Sequence, residues 1–238
     1  MTPVCSIAWR EFASYFRASI GWVVIALYML LAGLTVALTT IRPGEPATMR
    51  DFFAVSHWLL LIVVPAVSMR LLSEEFRTGS IEPLMTAPVS DWQVVIGKYA
   101  GGLLFLLAML APTLAHVGVL EMIAAPDYGP IAAGYTGLLL VGMLYLAVGL
   151  LASSLTPNQI VAYLGTMFFL MLVLFAASQG PRFVGEPWDG VLISLSLNRR
   201  IEDFARGVID TRHVVFFASA SAWFLVLAVV SLEFRRWR

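Results

Sequence analysis

The sequence predicts an all-α membrane protein with six transmembrane helices, and three observations lead there. Hydrophobic residues make up 60% of its 238 residues. Charged residues make up 13%, against roughly 25% in ordinary soluble domains. Finally, the charges are kept out of six apolar runs: Ile20–Ile41, Phe52–Met69, Tyr99–Leu120, Ile131–Leu155, Ile160–Ala177 and Val214–Leu232. A spanning helix needs about 20 mostly apolar residues. None of the six runs contains Asp, Glu, Lys or Arg, whereas soluble helices of that length carry a charged face. One membrane domain, 1–238, accounts for the whole length. No stretch is left for a soluble catalytic domain.

Residues 2–18 precede the first run. Val4, Ile7, Ala8, Phe12, Tyr15 and Phe16 recur at helical spacing, with Ser6, Arg10, Ala13 and Arg17 opposite. This predicts an amphipathic helix lying along the membrane surface. A frayed amphipathic terminus is the plainer alternative. A signal peptide is excluded, because Arg10, Glu11 and Arg17 interrupt any apolar core.

The first span ends in the turn-rich Arg42-Pro43-Gly44-Glu45-Pro46. The second carries His57 and Pro65; the proline predicts a kink. A lone His in a span reads more readily as packed structure than as a proton relay. The third opens on Gly97-x-x-x-Gly101, a small face that admits a close neighbouring helix. His116 and Glu121 lie towards its far end, as pathway candidates or as a structural polar cluster. Gly149-x-x-x-Ser153 puts a second small face on the fourth span, for packing within the bundle or across a dimer. Pro157 is placed at the start of the fifth helix.

The segment 178–213 separates the fifth and sixth spans. From Leu195 it turns amphipathic, with Leu197, Ile201, Phe204, Ala205 and Val208 in one stripe. The i,i+4 pairs Arg199–Asp203 and Glu202–Arg206 would support a helix there. A re-entrant gate and a plain surface helix both fit that pattern.

Basic residues orient the chain. With both termini in the cytoplasm, inside segments hold eight basic and six acidic residues, and outside segments seven and nine. The Arg235-Arg236-Trp237-Arg238 end is the clearest anchor.

Ser73–Lys98 is then a cytoplasmic charged island between two apolar runs, holding Glu74, Glu75, Glu82 and Asp91. Charge is costly in hydrocarbon, so the island belongs in water or against a protein. Ser80 is placed to cap a short helix through Met85, which Ala87-Pro88 would stop. Ser90 with Gln93 reads as a capping box that opens the next helix. On spacing alone, an ordinary solvated loop fits as well.

The island's run Glu-Glu-x-Arg-x-Gly-Ser-Ile-Glu-x-Leu-Met-Thr-x-Pro-Val-Ser-Asp-Trp resembles the signature of type-2 ATP-binding-cassette (ABC) exporter permeases. The resemblance implies that residues 2–18 are an elbow helix and that 73–98 docks on an ATPase. Its ATPase-coupling residues would be Glu74, Glu75, Arg77, Gly79, Ser80, Ile81, Glu82, Leu84, Met85, Pro88, Ser90 and Asp91. Further implied are separate ATPase subunits that bind ATP and magnesium, and a second permease copy or a related permease. Residues 201–212 resemble the permease of gliding-motility (GldF-like) transporters. That branch implies a large periplasmic-domain partner, and force transmission as an alternative to solute transport.

An active site is not found. Gly97-Lys98 matches two letters of a P-loop, but Trp92 and Tyr99 stand where Gly and Ser/Thr belong. There is no H-E-x-x-H, and His57, His116 and His213 lack ligand spacing. Net charge is zero, which leaves no nucleic-acid footprint. The single Cys5 excludes an internal disulfide. The expected cofactor, metal and catalytic residues of this chain are none.

Overall fold

The computed structural model describes residues 2–40, 48–80, 89–124, 126–183, 190, 192 and 194–236, and among them there is no strand. Helix α1 (Pro3–Arg17) starts on a proline, where a missing N–H costs nothing. Ser19 follows with a left-handed backbone, φ 57°, uncommon for a non-glycine residue. It is the corner at which the chain turns into α2 (Ile20–Thr35), which a π-helical turn extends to Thr40.

The second span is two helices. α3 (Arg50–Ser68) contains Pro65, and α4 (Arg70–Thr78) follows after Met69 alone. The break comes four residues beyond the proline. α4 ends on Gly79, whose φ of 73° is the left-handed stop that glycine adopts without strain.

α5 (Asp91–Leu110) opens with the predicted capping box: Ser90 Oγ accepts from the Gln93 N–H at 3.3 Å, and Gln93 Oε1 from the Ser90 N–H at 3.1 Å. A 3-10 turn around Pro112 joins it to α6 (Leu114–Ile123). The third span therefore starts eight residues earlier than its apolar run, because the cap makes the polar first turns helical. α7 (Tyr128–Leu155) is capped by Asp127. α8 (Gln159–Gln179) is capped by Asn158, whose side chain accepts from the Ile160 N–H at 3.0 Å. Pro157 lies just outside that cap rather than in the first turn. α9 (Leu197–Ala205) and α10 (Thr211–Arg236) complete the chain.

Among the described residues, six helical stretches are long and apolar enough to cross a membrane. α7 is their axis. Its apolar window is 72% buried, against 22% for the first and sixth spans. A helix apolar on all sides needs neighbours on all sides, and α3, α4, α5, α8, α9 and α10 supply them. Small residues fix how close they come. A methyl added at Gly149 would overlap the Ser68 hydroxyl, and Ser153 Oγ accepts from the Leu72 N–H at 3.2 Å. The Gly149–Ser153 face is thus used inside the chain, against the second span.

α9 tucks its apolar stripe into the bundle. Leu197, Ile201, Phe204 and Ala205 are buried, and a methyl at Gly137 would lie 2.8 Å from Phe204 Cβ. Val208, assigned to the same stripe, is exposed because the helix has already ended. Of the two predicted ion pairs, Glu202–Arg206 forms. Arg199–Asp203 does not: Asp203 Oδ2 lies 3.0 Å from His213 Nε2, at the partly buried seam with α10. Arg200 donates to the other ring nitrogen at 2.8 Å and stacks on Phe216 at 4.0 Å. Phe204→Ala is expected to cost about 3–5 kcal/mol, read as a fall in the apparent Tm of the purified chain. An unchanged Tm would mean that α9 is not held by this stripe.

Candidate functional site

The ionised groups that matter meet at one end of the bundle. α1 lies along the start of α5, and Gly97 and Gly101 make that possible. A methyl at Gly97 would sit 2.8 Å from Ile7 Cβ; one at Gly101 would sit 2.6 Å from Glu11 Cβ and 2.9 Å from the Ala8 carbonyl oxygen. The small face predicted for a neighbouring helix is therefore occupied by α1, not by another span. The predicted apolar face of α1 is buried at Ile7, Ala8 and Tyr15, while Val4, Phe12 and Phe16 stay partly exposed.

Between the two glycines, Lys98 is 1% exposed. Its Nζ lies 3.1 Å from Glu11 Oε2 and 2.9 Å from Glu75 Oε1. Arg10 Nη2 reaches the same Glu75 oxygen at 3.3 Å. Burying one charge is costly, and one partner seldom offsets the loss of water. Here two cations and two carboxylates share the load. Glu75 Oε2 is buried without a hydrogen-bond partner among the described residues, so this network is tight but not fully satisfied.

A second layer supports it. Tyr15 stacks on Phe105 at 4.5 Å and donates to the Val67 carbonyl at 3.0 Å. Burial, and next the Glu11 carboxylate, hold its phenol well above the usual range, so it stays a neutral donor. Arg70 lies 5.5 Å over the Tyr15 ring and pairs with Glu74 at 3.0 Å.

The node therefore ties α1, α4 and α5 together, and α4 and α5 are the helices that flank residues 79–90. The sequence reading drew a loop from Ser73. In the structure, 73–78 belong to α4, and everything from Asp91 belongs to α5. Glu74 and Glu75 are thus helical residues: Glu74 pairs with Arg70 one turn back on α4, and Glu75 with Arg10 of α1 and Lys98 of α5. Arg77 sits in the last turn of α4, a favourable end for a cation. Gly79 and Ser80 are exposed, Ser80 sharing a hydroxyl contact of 2.9 Å with Thr78. Ser90 caps α5 and Asp91 is buried at its first position. The expected helix Ser80–Met85 lies outside the described residues beyond Ser80, and so do Ile81, Glu82, Leu84, Met85 and Pro88.

Sequence reasoning missed Lys98, Glu11 and Arg10 as a unit. The only signal was Lys98 standing beside a small face that another helix covers, a place where a charge calls for an acidic partner.

The other candidates are scattered. On α6, the His116 ring packs at Gly33 of the first span, whereas Glu121 is exposed and accepts from the Tyr128 hydroxyl at 2.8 Å. These two do not come together. His57 is structural, with Nε2 3.0 Å from Asn198 Oδ1 and Nδ1 3.3 Å from the Tyr145 hydroxyl. Among the described residues no three His, Cys, Asp or Glu side chains are grouped to hold a metal.

Six apolar helices, one of them the buried axis of the others, make this a multi-pass membrane protein, with a charged cluster at one end of the bundle. The chain belongs to the family described as ABC-2 family transporter protein, which its residues 48–185 match. Over 123 residues, 50% of the chain, it is 29% identical to the probable multidrug ABC transporter permease YbhR of Escherichia coli K12, and equally to that of Escherichia coli O157:H7. The aligned stretch spans 33% of the relative's own length. The chain is thus a multi-pass membrane member of the ABC-2 transporter family.

Proposed function

We propose that this permease couples ATP hydrolysis by separate ATPase subunits to movement of an apolar or amphipathic cargo out across the inner membrane. Both termini face the cytoplasm in this reading. A second copy of the chain, or a related permease, completes the path, and the ATPase partners bind the ATP and magnesium. The observation that carries the reading is the Lys98 node, which pins both ends of the 79–90 segment to α1. When the ATPases close and push that segment, α4 and α5 cannot slide separately. The push passes into the second and third spans together.

The cargo class rests on two supports: the charge-free spans, and the word multidrug in the relative's name. Residues 201–212 favour a second reading through their likeness to the gliding-motility branch. In that reading the complex transmits force to an envelope machine with a large periplasmic partner. A reconstituted complex that hydrolyses ATP but moves no solute would select it.

The test of coupling reverses two charges. With Glu82→Lys and Asp91→Lys, transport by vesicles containing the chain and its ATPase should fall at least about tenfold, roughly 1.4 kcal/mol of lost coupling, while ATP hydrolysis continues. Unchanged transport would refute the docking role of this segment.

A further inference from the structure

At the end of the bundle opposite Lys98, the first turns of α3 and the helix α9 enclose a cavity of about 370 Å³. That is within the range of about 300–1,000 Å³ typical of small-molecule sites. We propose that it holds the headgroup of a zwitterionic phospholipid, an ammonium and a phosphate in one ligand. The inference does not depend on the coupling mechanism above.

The walls separate by chemistry. Ala54, Ile201 and Ala205 give an apolar lining, to which Trp58 adds its ring. Trp58 is 48% exposed on the outside of the bundle, where a spanning helix meets lipid. It lies eight residues along α3 from Arg50, about 12 Å at 1.5 Å per residue. Tryptophan concentrates at the membrane–water boundary, so the cavity straddles that boundary with its charged mouth towards water. His57 is rigidly placed at the lining, since Asn198 and Tyr145 engage its two ring nitrogens.

The mouth carries both signs. Glu202 and Arg206 satisfy each other. Arg50 and Asp51, consecutive on α3 and both exposed, line the cavity mouth, and neither side chain makes a hydrogen bond or ion pair among the described residues. An anionic ligand would meet Asp51 and Glu202 there, and a cationic one would meet Arg50 and Arg206. A ligand with a phosphate for Arg50 and an ammonium for Asp51 satisfies both. An acyl chain attached to it would leave past Trp58 into the bilayer.

The experiment is native mass spectrometry of the full chain in micelles with equimolar phosphatidylethanolamine and phosphatidylglycerol. Phosphatidylethanolamine should be retained about fivefold over phosphatidylglycerol, the ratio that one exposed charge contact supplies. Asp51→Asn should abolish that preference, and Arg50→Gln should lower retention of both lipids. Ala54→Phe fills the cavity without altering charge, and should remove bound lipid. Retention and preference unchanged in all three variants would overturn the proposal. Equal retention of soluble glycerophosphoethanolamine and of the intact lipid would overturn it too, by assigning the cavity to a water-soluble ligand.

Discussion

Lys98→Met is expected to cost about 3–5 kcal/mol of stability and to abolish coupled transport. The substitution leaves Glu11 and Glu75 facing each other in a buried space, with only the half-exposed Arg10 beside them. Removing one member of a buried ionic group strands the rest, which is why the effect exceeds that of any surface pair. A neutralised set separates folding from function. Combining Lys98→Met with Glu11→Met and Glu75→Met removes all three buried charges, and hydrophobic replacements of this kind are often neutral in stability. The triple variant should recover its Tm, yet its transport should stay low, because three charged tethers have become weak contacts. Recovery of both would reduce the node to a folding element. A Tm unchanged by Lys98→Met alone would show that the lysine is not buried as described.

Gly101→Leu should release α1 from the bundle. A side chain there meets Glu11 Cβ and the Ala8 carbonyl oxygen, and neither is the far end of a flexible group. Overpacking of this kind costs typically 1–3 kcal/mol. The helix must move away bodily, which also pulls Glu11 from Lys98. Hydrogen exchange across residues 3–17 should rise sharply, and transport should fall with it. Gly118→Leu is the control, since nothing lies within 4 Å of a methyl added there. If both variants leave exchange unchanged, the elbow is not seated on α5.

The spans were legible because hydrocarbon imposes a simple rule: long runs without charge. Their ends were less so. The third span begins at Asp91 and not at Tyr99 because a capping box, an explicit local device, extends the helix through polar residues. The same logic moved the start of α8 past Pro157 to the side chain of Asn158. What no periodicity could supply was the pairing of distant groups. Glu11 and Lys98 are 87 residues apart. Only the docking of α1 on Gly97 and Gly101 brings them together. Asp203 likewise prefers His213 across a seam to the neighbour that helical spacing assigns. Local rules find helices and caps; buried charges are settled by tertiary approach.

The most direct test of the proposed ATPase docking of the 79–90 segment is cross-linking from residue 85. Cys5 is free and exposed, so Cys5→Ser comes first, followed by Met85→Cys in the complex with its ATPase. A cross-link to the nucleotide-hydrolysing subunit is expected, with a yield that changes when ATP is added. A cysteine at 85 that never reaches that subunit, or that reacts with an impermeant reagent applied from outside the cell, would contradict it.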